Sequence, residues 1–229
     1  VLLAADYSQI ELRLLAHFSG DSLLVEAYRK GDDIHTLTAS QVFGVPPLMV
    51  TADHRRQAKV VNFGIVYGLS PFGLSQNLGI ETSEAKQFIQ AYFEKYNGVQ
   101  RFIDRTLDEA RREGRVHTLF GRTRPIPDIN SKNATQRGFA ERTAVNTPLQ
   151  GTAADLIKLA MIRIDAALRE RKMRSRMTLQ VHDELVFDVY EPELDVMKSL
   201  VREHMENVHE LEVPLLVEMG AGPNWRDLE

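Results

Sequence analysis

Residues 177–189 form two apolar segments joined by a charged tripeptide, Met177-Thr178-Leu179-Gln180-Val181-His182-Asp183-Glu184-Leu185-Val186-Phe187-Asp188-Val189. Because only three residues separate the two strand-like segments, the sequence predicts a β-hairpin. A tight hairpin usually has glycine or asparagine in its turn, where positive φ is required. This turn has a histidine and two acids instead. Asp is itself a common turn residue, so turn chemistry and a divalent-cation site both explain the tripeptide.

A further acid, Asp6, lies near the other end of the chain. Residues 1–6 read as a strand and residues 213–219 as a last strand. With the hairpin, they predict one antiparallel sheet built from both ends of the chain. Acids on separate strands of one sheet could hold two metal ions about 3.5–4 Å apart. The alternative is that Asp6 or Ser8 caps a short helix over residues 9–18.

The middle of the chain reads as helical. The clearest helix runs from Thr51, which can cap its N-terminus, to Gly68. Other predicted helices are several short ones in 21–50, then 82–97 ended by Gly98, 99–113, 135–146 and 149–171 separated at Pro148, and 193–209. Residues 115–130 read as strand-like and rich in turns. The predicted fold class is therefore α+β, an antiparallel sheet with helices and a largely helical insertion.

The helix that starts at Thr51 has a distinctive face. Arg55, Lys59, Phe63 and Tyr67 recur every four residues, so they form a stripe that drifts slowly around the helix. Two cations followed by two aromatic rings suit the phosphates and the base and sugar of a nucleoside triphosphate. The alternative is a mixed face whose cations extend to solvent above an apolar core.

Composition sets broad limits. The chain has 229 residues, is 43% hydrophobic and has no cysteine, so it can bury a core but cannot form disulfides or thiolate metal sites. We find neither an apolar run long enough to cross a membrane nor a signal-peptide pattern, and we expect a cytoplasmic protein. The net charge of −4 gives no global nucleic-acid signature, although Lys and Arg outnumber Asp and Glu from Arg101 to Arg142.

Taken together, three segments in order resemble motifs A, B and C of the family A DNA polymerases, the bacterial DNA polymerase I type: Asp6-Tyr7-Ser8-Gln9-Ile10-Glu11-Leu12-Arg13, then Arg55-Arg56-Gln57-Ala58-Lys59-Val60-Val61-Asn62-Phe63-Gly64-Ile65-Val66-Tyr67-Gly68, then Val181-His182-Asp183-Glu184. The resemblance extends through essentially the whole chain. It implies template-directed DNA synthesis in replication and repair, from deoxynucleoside triphosphates on a primer–template, with pyrophosphate release.

The resemblance also implies a set of site residues. Two Mg²⁺ ions would be bound by Asp6 and Asp183, with the Tyr7 backbone assisting and Glu184 close by. Lys59 would bind the triphosphate together with Arg55 and assist catalysis. Phe63, Tyr67, Glu11, Gln9 and His35 would contact the nucleotide, and Glu11 would block a 2′-hydroxyl. The primer–template would be contacted by Arg142, Asn146, Gln150 and His182.

The resemblance further implies a palm from residues 1–20 and 141–229 and fingers from residues 21–140. The family's thumb and any exonuclease domain would lie before Val1. We therefore expect this chain to be a monomer that binds primer–template weakly and polymerises poorly by itself. We expect it to act in the bacterial cytoplasm at the nucleoid.

Two other readings fit part of the sequence. A two-metal nuclease or phosphatase would use the acids but leaves the Arg55–Tyr67 stripe without a role. A non-catalytic nucleic-acid-binding protein would use the basic segment 101–142.

Overall fold

The computed structural model describes residues 1–228. The strands are β1 Leu2–Tyr7, β2 Arg115–His117, β3 Thr123–Pro125, β4 Arg176–Val181, β5 Glu184–Asp188 and β6 Val217–Gly222. The α-helices are α1 Ile10–Ser19, α2 Ser22–Lys30, α3 Ile34–Phe43, α4 Ala52–Val66, α5 Pro71–Leu78, α6 Thr82–Lys95, α7 Asn97–Glu113, α8 Ala134–Glu170 and α9 Leu194–Glu206. Single 3₁₀ turns occur at Pro47–Met49, Glu191–Glu193 and Trp225–Asp227. The α+β fold class predicted from the sequence is confirmed.

The chain divides into two compact units. Unit 1 comprises Val1–Ile10 and Ala153–Glu229, and unit 2 comprises Glu11–Thr152. Helix α8 contributes to both units. The sequence-based boundaries near residues 20 and 140 differ from these by about ten residues.

Unit 1 contains a four-stranded antiparallel sheet in the order β4-β5-β1-β6. Both ends of the chain supply strands, as predicted. Because side chains alternate between the faces of a strand, Leu3, Ala5 and Tyr7 share one face of β1 and are buried. The Tyr7 hydroxyl donates to the backbone carbonyl of Met205 in α9 at 2.8 Å. The opposite face of β1 carries Ala4 and Asp6, and it is the face on which the acids gather.

Unit 2 is mainly helical. Thr51 caps α4 through a capping box with His54, as the sequence indicates for Thr51. The buried face of α4 includes Ala58, Val61 and Ile65. A buried apolar cluster includes Val116 of β2; its members are Ala110, Val116, Ile126, Ile129, Ala140 and Ala144.

Gly98 does not end a helix, so that prediction was wrong. It lies in the first turn of α7, where its backbone N–H donates to Asp21 Oδ2 at 2.8 Å. A Cβ on Gly98 would lie 2.8 Å from the Asp21 Cα. This glycine is required by a close approach between segments distant in sequence, which local stop signals do not reveal.

The predicted break at Pro148 was also wrong. Helix α8 is continuous over 37 residues with Pro148 inside it. Proline removes the backbone N–H that would donate to the Ala144 carbonyl, but the helix continues through Pro148. The fully buried side chains of Ala144 and Leu149 flank the proline, so packing outweighs the local penalty.

The last strand was predicted too early. β6 starts at Val217 rather than at residue 213 and continues to Gly222. Residues 213–217 alternate between buried and exposed, but Pro214 lacks the N–H that a strand ladder requires.

Candidate active site

Three carboxylates lie in a row across the open face of the unit 1 sheet. Asp6 is opposite Glu184 on β5 and opposite Glu218 on β6 in the strand registers. Side chains at directly opposite positions lie on the same face, with their Cβ atoms about 4.5–5.5 Å apart. The sheet register alone therefore brings these acids together.

The fourth acid, Asp183, is presented by the β4–β5 turn. The preceding residue, His182, has φ 53°, so the turn does adopt a left-handed position without glycine or asparagine. The His182 carbonyl accepts from Gln180 Nε2 at 2.7 Å. The Asp183 carbonyl accepts from the backbone N–H of Tyr7 at 3.2 Å, which fixes the turn beside Asp6.

This crowding changes the acidity of Asp6. The pKa of Asp6 is raised to about 6, first by burial and then by the negative charges of Asp183, Glu184 and Glu218, and a backbone hydrogen bond from Tyr7 opposes the rise. A positive charge beside Asp6 would therefore favour its ionised form. Carboxylate oxygens are the ligands that hard divalent cations prefer, so the donor set fits Mg²⁺.

The acids of the row, without Asp183, line a cavity of about 670 Å³ in unit 1. Its walls include Asp6, Glu184, Glu218, Trp225 and Arg226. Within the described residues, a group with all ligand atoms within 4.8 Å of one another lies in unit 2 and consists of Glu109, Glu113 and His117. The acids around Asp6 do not have three ligand atoms that close together. Repulsion among uncompensated carboxylates gives a physical reason for the more open arrangement around Asp6.

Two residues of the candidate site, Glu218 and Trp225, were not predicted from the sequence. Glu218 Oε1 accepts from the Ser8 hydroxyl at 2.8 Å, and Glu184 Oε1 accepts from the Trp225 indole at 2.9 Å. Glu218 lies on a predicted strand, but a sequence does not reveal which acid on that strand faces Asp6. The one signal in the sequence for Trp225 was that it is the chain's single tryptophan.

The predicted cation–aromatic stripe lies on α4 in unit 2. The rings of Phe63 and Tyr67 are stacked, with centroids 6.2 Å apart, and Lys59 is exposed. Arg55 Nε donates to Asp33 Oδ2 at 2.5 Å. Burial disfavours the charge on Asp33, but hydrogen bonds from Arg55, Thr36 and the α3 backbone hold its pKa below the usual value.

His35, also predicted to contact nucleotide, is buried in unit 2 beside the stripe. Its ring centroid is 6.0 Å from that of Phe63. Its Nδ1 is 3.0 Å from Asn62 Nδ2, and Asn62 Oδ1 accepts from the Thr38 hydroxyl at 3.0 Å. The pKa of His35 is lowered to about 4, first by burial and also by the charges of Arg55 and Lys59, while Asp33 opposes the shift. His35 is therefore neutral at physiological pH.

The remaining predicted residues fall in different places. Gln9 has φ 55° and belongs to unit 1, whereas Glu11 lies on α1 in unit 2 and is half-buried. The predicted DNA contacts Arg142, Asn146 and Gln150 lie on α8, four residues apart on one face.

The surroundings of Arg142 and Asn146 within unit 2 are defined by packing and by hydrogen bonding. Arg142 packs against the end of α4, since a Cβ on Gly68 would lie 3.0 Å from the Arg142 Cγ. Among the described residues, the buried Asn146 Oδ1 has no hydrogen-bond partner, which suits a group that meets a donor from a ligand.

The chain matches the family model described as DNA polymerase family A over residues 1–227. The chain belongs to this family. It is 54% identical over 226 residues to DNA polymerase I of Streptococcus pneumoniae and 52% identical over 227 residues to DNA polymerase I of Bacillus subtilis. These alignments cover 98% and 99% of this chain but 26% of each relative, so this family A chain spans about a quarter of their length.

A solved structure agrees with the family assignment. The POL domain of Pol1 from M. smegmatis, in complex with DNA primer-template and dNTP, superposes with a TM-score of 0.95 at 47% identity. The match covers 99% of this chain and 40% of that one. Within residues 1–228, none of the helices combines the length and apolar character needed to cross a membrane.

Proposed function

We propose that this family A chain carries the active centre of template-directed DNA synthesis, in which deoxynucleoside triphosphates extend a primer 3′-hydroxyl with release of pyrophosphate. The observation that carries the proposal is the row Glu184–Asp6–Glu218 beside the Asp183 turn. The relatives named DNA polymerase I and the structure with DNA primer-template and dNTP support it. The role fits DNA replication and repair in the bacterial cytoplasm at the nucleoid.

Asp6 and Asp183 would hold two Mg²⁺ ions, with the Tyr7 backbone and Glu184 assisting. Bound Mg²⁺ supplies Lewis-acid stabilisation of phosphoryl oxygens and lowers the pKa of a coordinated hydroxyl. The protein's own task is to hold these acids in place. The antiparallel register fixes Asp6 and Glu184, and the Tyr7 N–H fixes the turn that carries Asp183.

Residues of unit 2 would bind the incoming nucleotide. Arg55 and Lys59 would supply positive charge for its phosphates, and Lys59 would donate a proton to the leaving pyrophosphate. Phe63 and Tyr67 offer stacked rings for the sugar and base. His35, held neutral, offers a hydrogen bond rather than a charge, and Glu11 would also contact the nucleotide. Gln9, which belongs to unit 1, is likewise proposed as a nucleotide contact.

The primer–template would be contacted by Arg142, Asn146, Gln150 and His182. In this proposal residues 1–20 and 141–229 form the palm and residues 21–140 the fingers, and the protein acts as a monomer. Phosphoryl transfer then depends mainly on positioning and charge supplied by these groups.

The test is primer extension with Mg²⁺ by the 229-residue chain, and by a chimera in which this chain replaces its 52%-identical counterpart in Bacillus subtilis DNA polymerase I. We expect the chimera to extend a primer only as the template directs, and Asp6→Ala or Asp183→Ala to abolish extension while DNA binding persists. Full extension by Asp183→Ala would contradict the metal assignment. If the 229-residue chain instead releases nucleotides from DNA, or inorganic phosphate from a phosphate ester, without added nucleoside triphosphate, a nuclease or a phosphatase is favoured.

Two further variants of the chimera test specificity. Glu11→Ala should raise ribonucleotide incorporation, because it removes the block to a 2′-hydroxyl. Phe63→Tyr should raise dideoxynucleotide incorporation relative to the deoxynucleotide. Unchanged nucleotide ratios would reject these roles.

A further inference from the structure

Trp225 is the chain's single tryptophan, and core packing does not explain its position. Nearly half of its surface is exposed, at 47%. Its ring lines the acidic cavity, and its indole Nε1–H donates to Glu184 Oε1 at 2.9 Å. A large apolar ring is thus held at the surface with its one polar atom directed to a carboxylate of the candidate active site.

The backbone that carries Trp225 is held close to the sheet. A Cβ on Gly220 would lie 1.5 Å from the Leu228 carbonyl oxygen, and one on Gly222 would lie 2.4 Å from the Asp227 carbonyl oxygen. Both glycines belong to β6, and Gly220 is opposite Ala4 of β1. Residues 225–228 therefore cross the same sheet face as Asp6, and only glycine permits this approach.

A similar contact occurs on the other side of Asp6. Glu218 Oε1 accepts from the Ser8 hydroxyl at 2.8 Å. Each outer carboxylate of the row Glu184–Asp6–Glu218 thus has one oxygen bound by a neutral donor. A neutral donor fixes a carboxylate without cancelling its charge, so the attraction for a cation is retained.

We propose that Trp225 is a positioning residue that fixes the Glu184 carboxylate beside Asp6 and leaves its Oε2 directed to the cation site. Residues 220–228 form the clamp that holds the indole there. The inference rests on the proposed function, because it assigns Trp225 to the metal-binding acids of that site. Groups that orient metal-binding side chains commonly affect metal affinity by about 10–100-fold when removed.

The first test uses the metal-free chain, in which one tryptophan gives one indole ¹⁵N–¹H NMR signal. We expect Glu184→Ala to shift this signal upfield and to increase the solvent-exchange rate of the indole proton severalfold. Glu184→Gln, which keeps an acceptor oxygen, should give an intermediate shift. An indole signal and exchange rate unchanged by Glu184→Ala would overturn the proposal.

The second test measures Mn²⁺ binding by electron paramagnetic resonance, which requires neither DNA nor catalysis. Trp225→Phe keeps a ring but removes the donor, and we expect it to weaken Mn²⁺ binding by about tenfold. Asp6→Ala should remove the site altogether. If Asp6→Ala removes binding but Trp225→Phe binds like the wild type, the positioning role is wrong and the proposed metal site stands. If Asp6→Ala leaves binding unchanged, the proposed metal site itself is wrong.

A third variant reaches the same contact without altering the indole. Gly220→Ala forces residues 225–228 away from β6, so it should reproduce the indole shift of Glu184→Ala and the weaker Mn²⁺ binding of Trp225→Phe. Gly138→Ala is the matched control, since its nearest neighbour outside the local backbone is the Arg142 Nη1 at 3.6 Å, and it should change neither signal. Wild-type values for both measurements in a folded Gly220→Ala chain would contradict the clamp.

Discussion

Asn62 Nδ2 lies 3.0 Å from Nδ1 of the buried His35, and the other end of the Asn62 amide accepts from Thr38. The Thr38 hydroxyl is also 3.3 Å from the hydroxyl of the fully buried Tyr96. If Thr38 donates to the amide oxygen, the amide nitrogen faces His35, whose Nδ1 must then be the acceptor. The ring proton therefore belongs on Nε2. The hydrogen bonds thus favour a neutral His35 ring that can donate from Nε2.

This relationship predicts a pH effect on stability. The pKa of His35 is lowered to about 4 by burial, against an ordinary value of 6.5. The neutral ring is favoured in the folded state, so its contribution to stability is complete above pH 6.5 and is lost as pH falls towards 4. We expect a loss of up to about 3 kcal/mol across this range. Urea unfolding of wild type and His35→Gln checks this, since the variant should lack the part of the pH dependence of the unfolding free energy that comes from His35.

Asn62→Asp gives a second prediction from the same network. The added carboxylate lies next to His35 and favours imidazolium, so the pKa of His35 should rise by more than one unit from about 4. The measurement is an NMR titration of the His35 ring. Val60→Thr is a control on the same helix that leaves the contact intact. A His35 titration unchanged by Asn62→Asp would show that the two side chains are not in contact.

Asp6 provides the opposite pH dependence. Its pKa is raised to about 6, first by burial and then by neighbouring acids, so the folded metal-free chain favours the protonated form. The folding stability that protonated Asp6 contributes is fully present below the ordinary pKa of Asp in the unfolded chain. It is lost as pH rises through about 6. Asp6→Asn should therefore raise the Tm of the metal-free chain at pH 7.5 and leave it nearly unchanged at pH 4.

Carboxyl ¹³C NMR of Asp6 measures the same property directly. Added Mg²⁺ should lower the apparent pKa of Asp6, because a bound cation favours the carboxylate. Ser8→Ala is a useful comparison, since it changes a neighbour of Glu218 without removing an acid. An Asp6 titration insensitive to Mg²⁺ would argue against binding at this face.

The sequence was sufficient for features that depend on local pattern. Two strand-like apolar segments and the three-residue spacing predicted the β4–β5 hairpin, and Thr51 predicted the start of α4. The shared sheet followed from strands at both ends of the chain. These features are fixed by side-chain period and capping, which can be read along a sequence.

What the sequence could not provide depends on contacts between distant residues. The alignment of Glu218 with Asp6 requires the β1–β6 register, and the role of Gly220 requires the path of residues 225–228. The pairing of Arg55 with Asp33 similarly joins α4 to the start of α3. No local preference encodes these relationships, because the residues involved satisfy ordinary strand, turn and surface patterns by themselves.

The two helical glycines Gly98 and Gly138 allow a matched test of packing. Gly98→Ala would place a Cβ 2.8 Å from the Asp21 Cα and disturb the carboxylate that caps α2. We expect it to destabilise the chain by about 2 kcal/mol or more, from overpacking and the lost cap. Gly138→Ala meets only the Arg142 Nη1 at 3.6 Å and should stabilise by up to about 1 kcal/mol. Chemical denaturation measures both, and equal effects would contradict the Asp21–Gly98 contact.

The ion pair between Arg55 and Asp33 sets a prediction for nucleotide binding. Both side chains are substantially exposed, at 47% and 39%, so the pair contributes little stability but competes with any phosphate for the guanidinium. Asp33→Asn keeps an oxygen that can cap α3 while removing the charge. We expect tighter binding of a deoxynucleoside triphosphate, by up to about fivefold, since releasing an exposed pair is worth at most about 1 kcal/mol. Isothermal titration calorimetry checks this, with Asp53→Asn as the control because Asp53 pairs with Arg56 instead. Tighter binding in Asp53→Asn but not in Asp33→Asn would place the phosphate site away from Arg55.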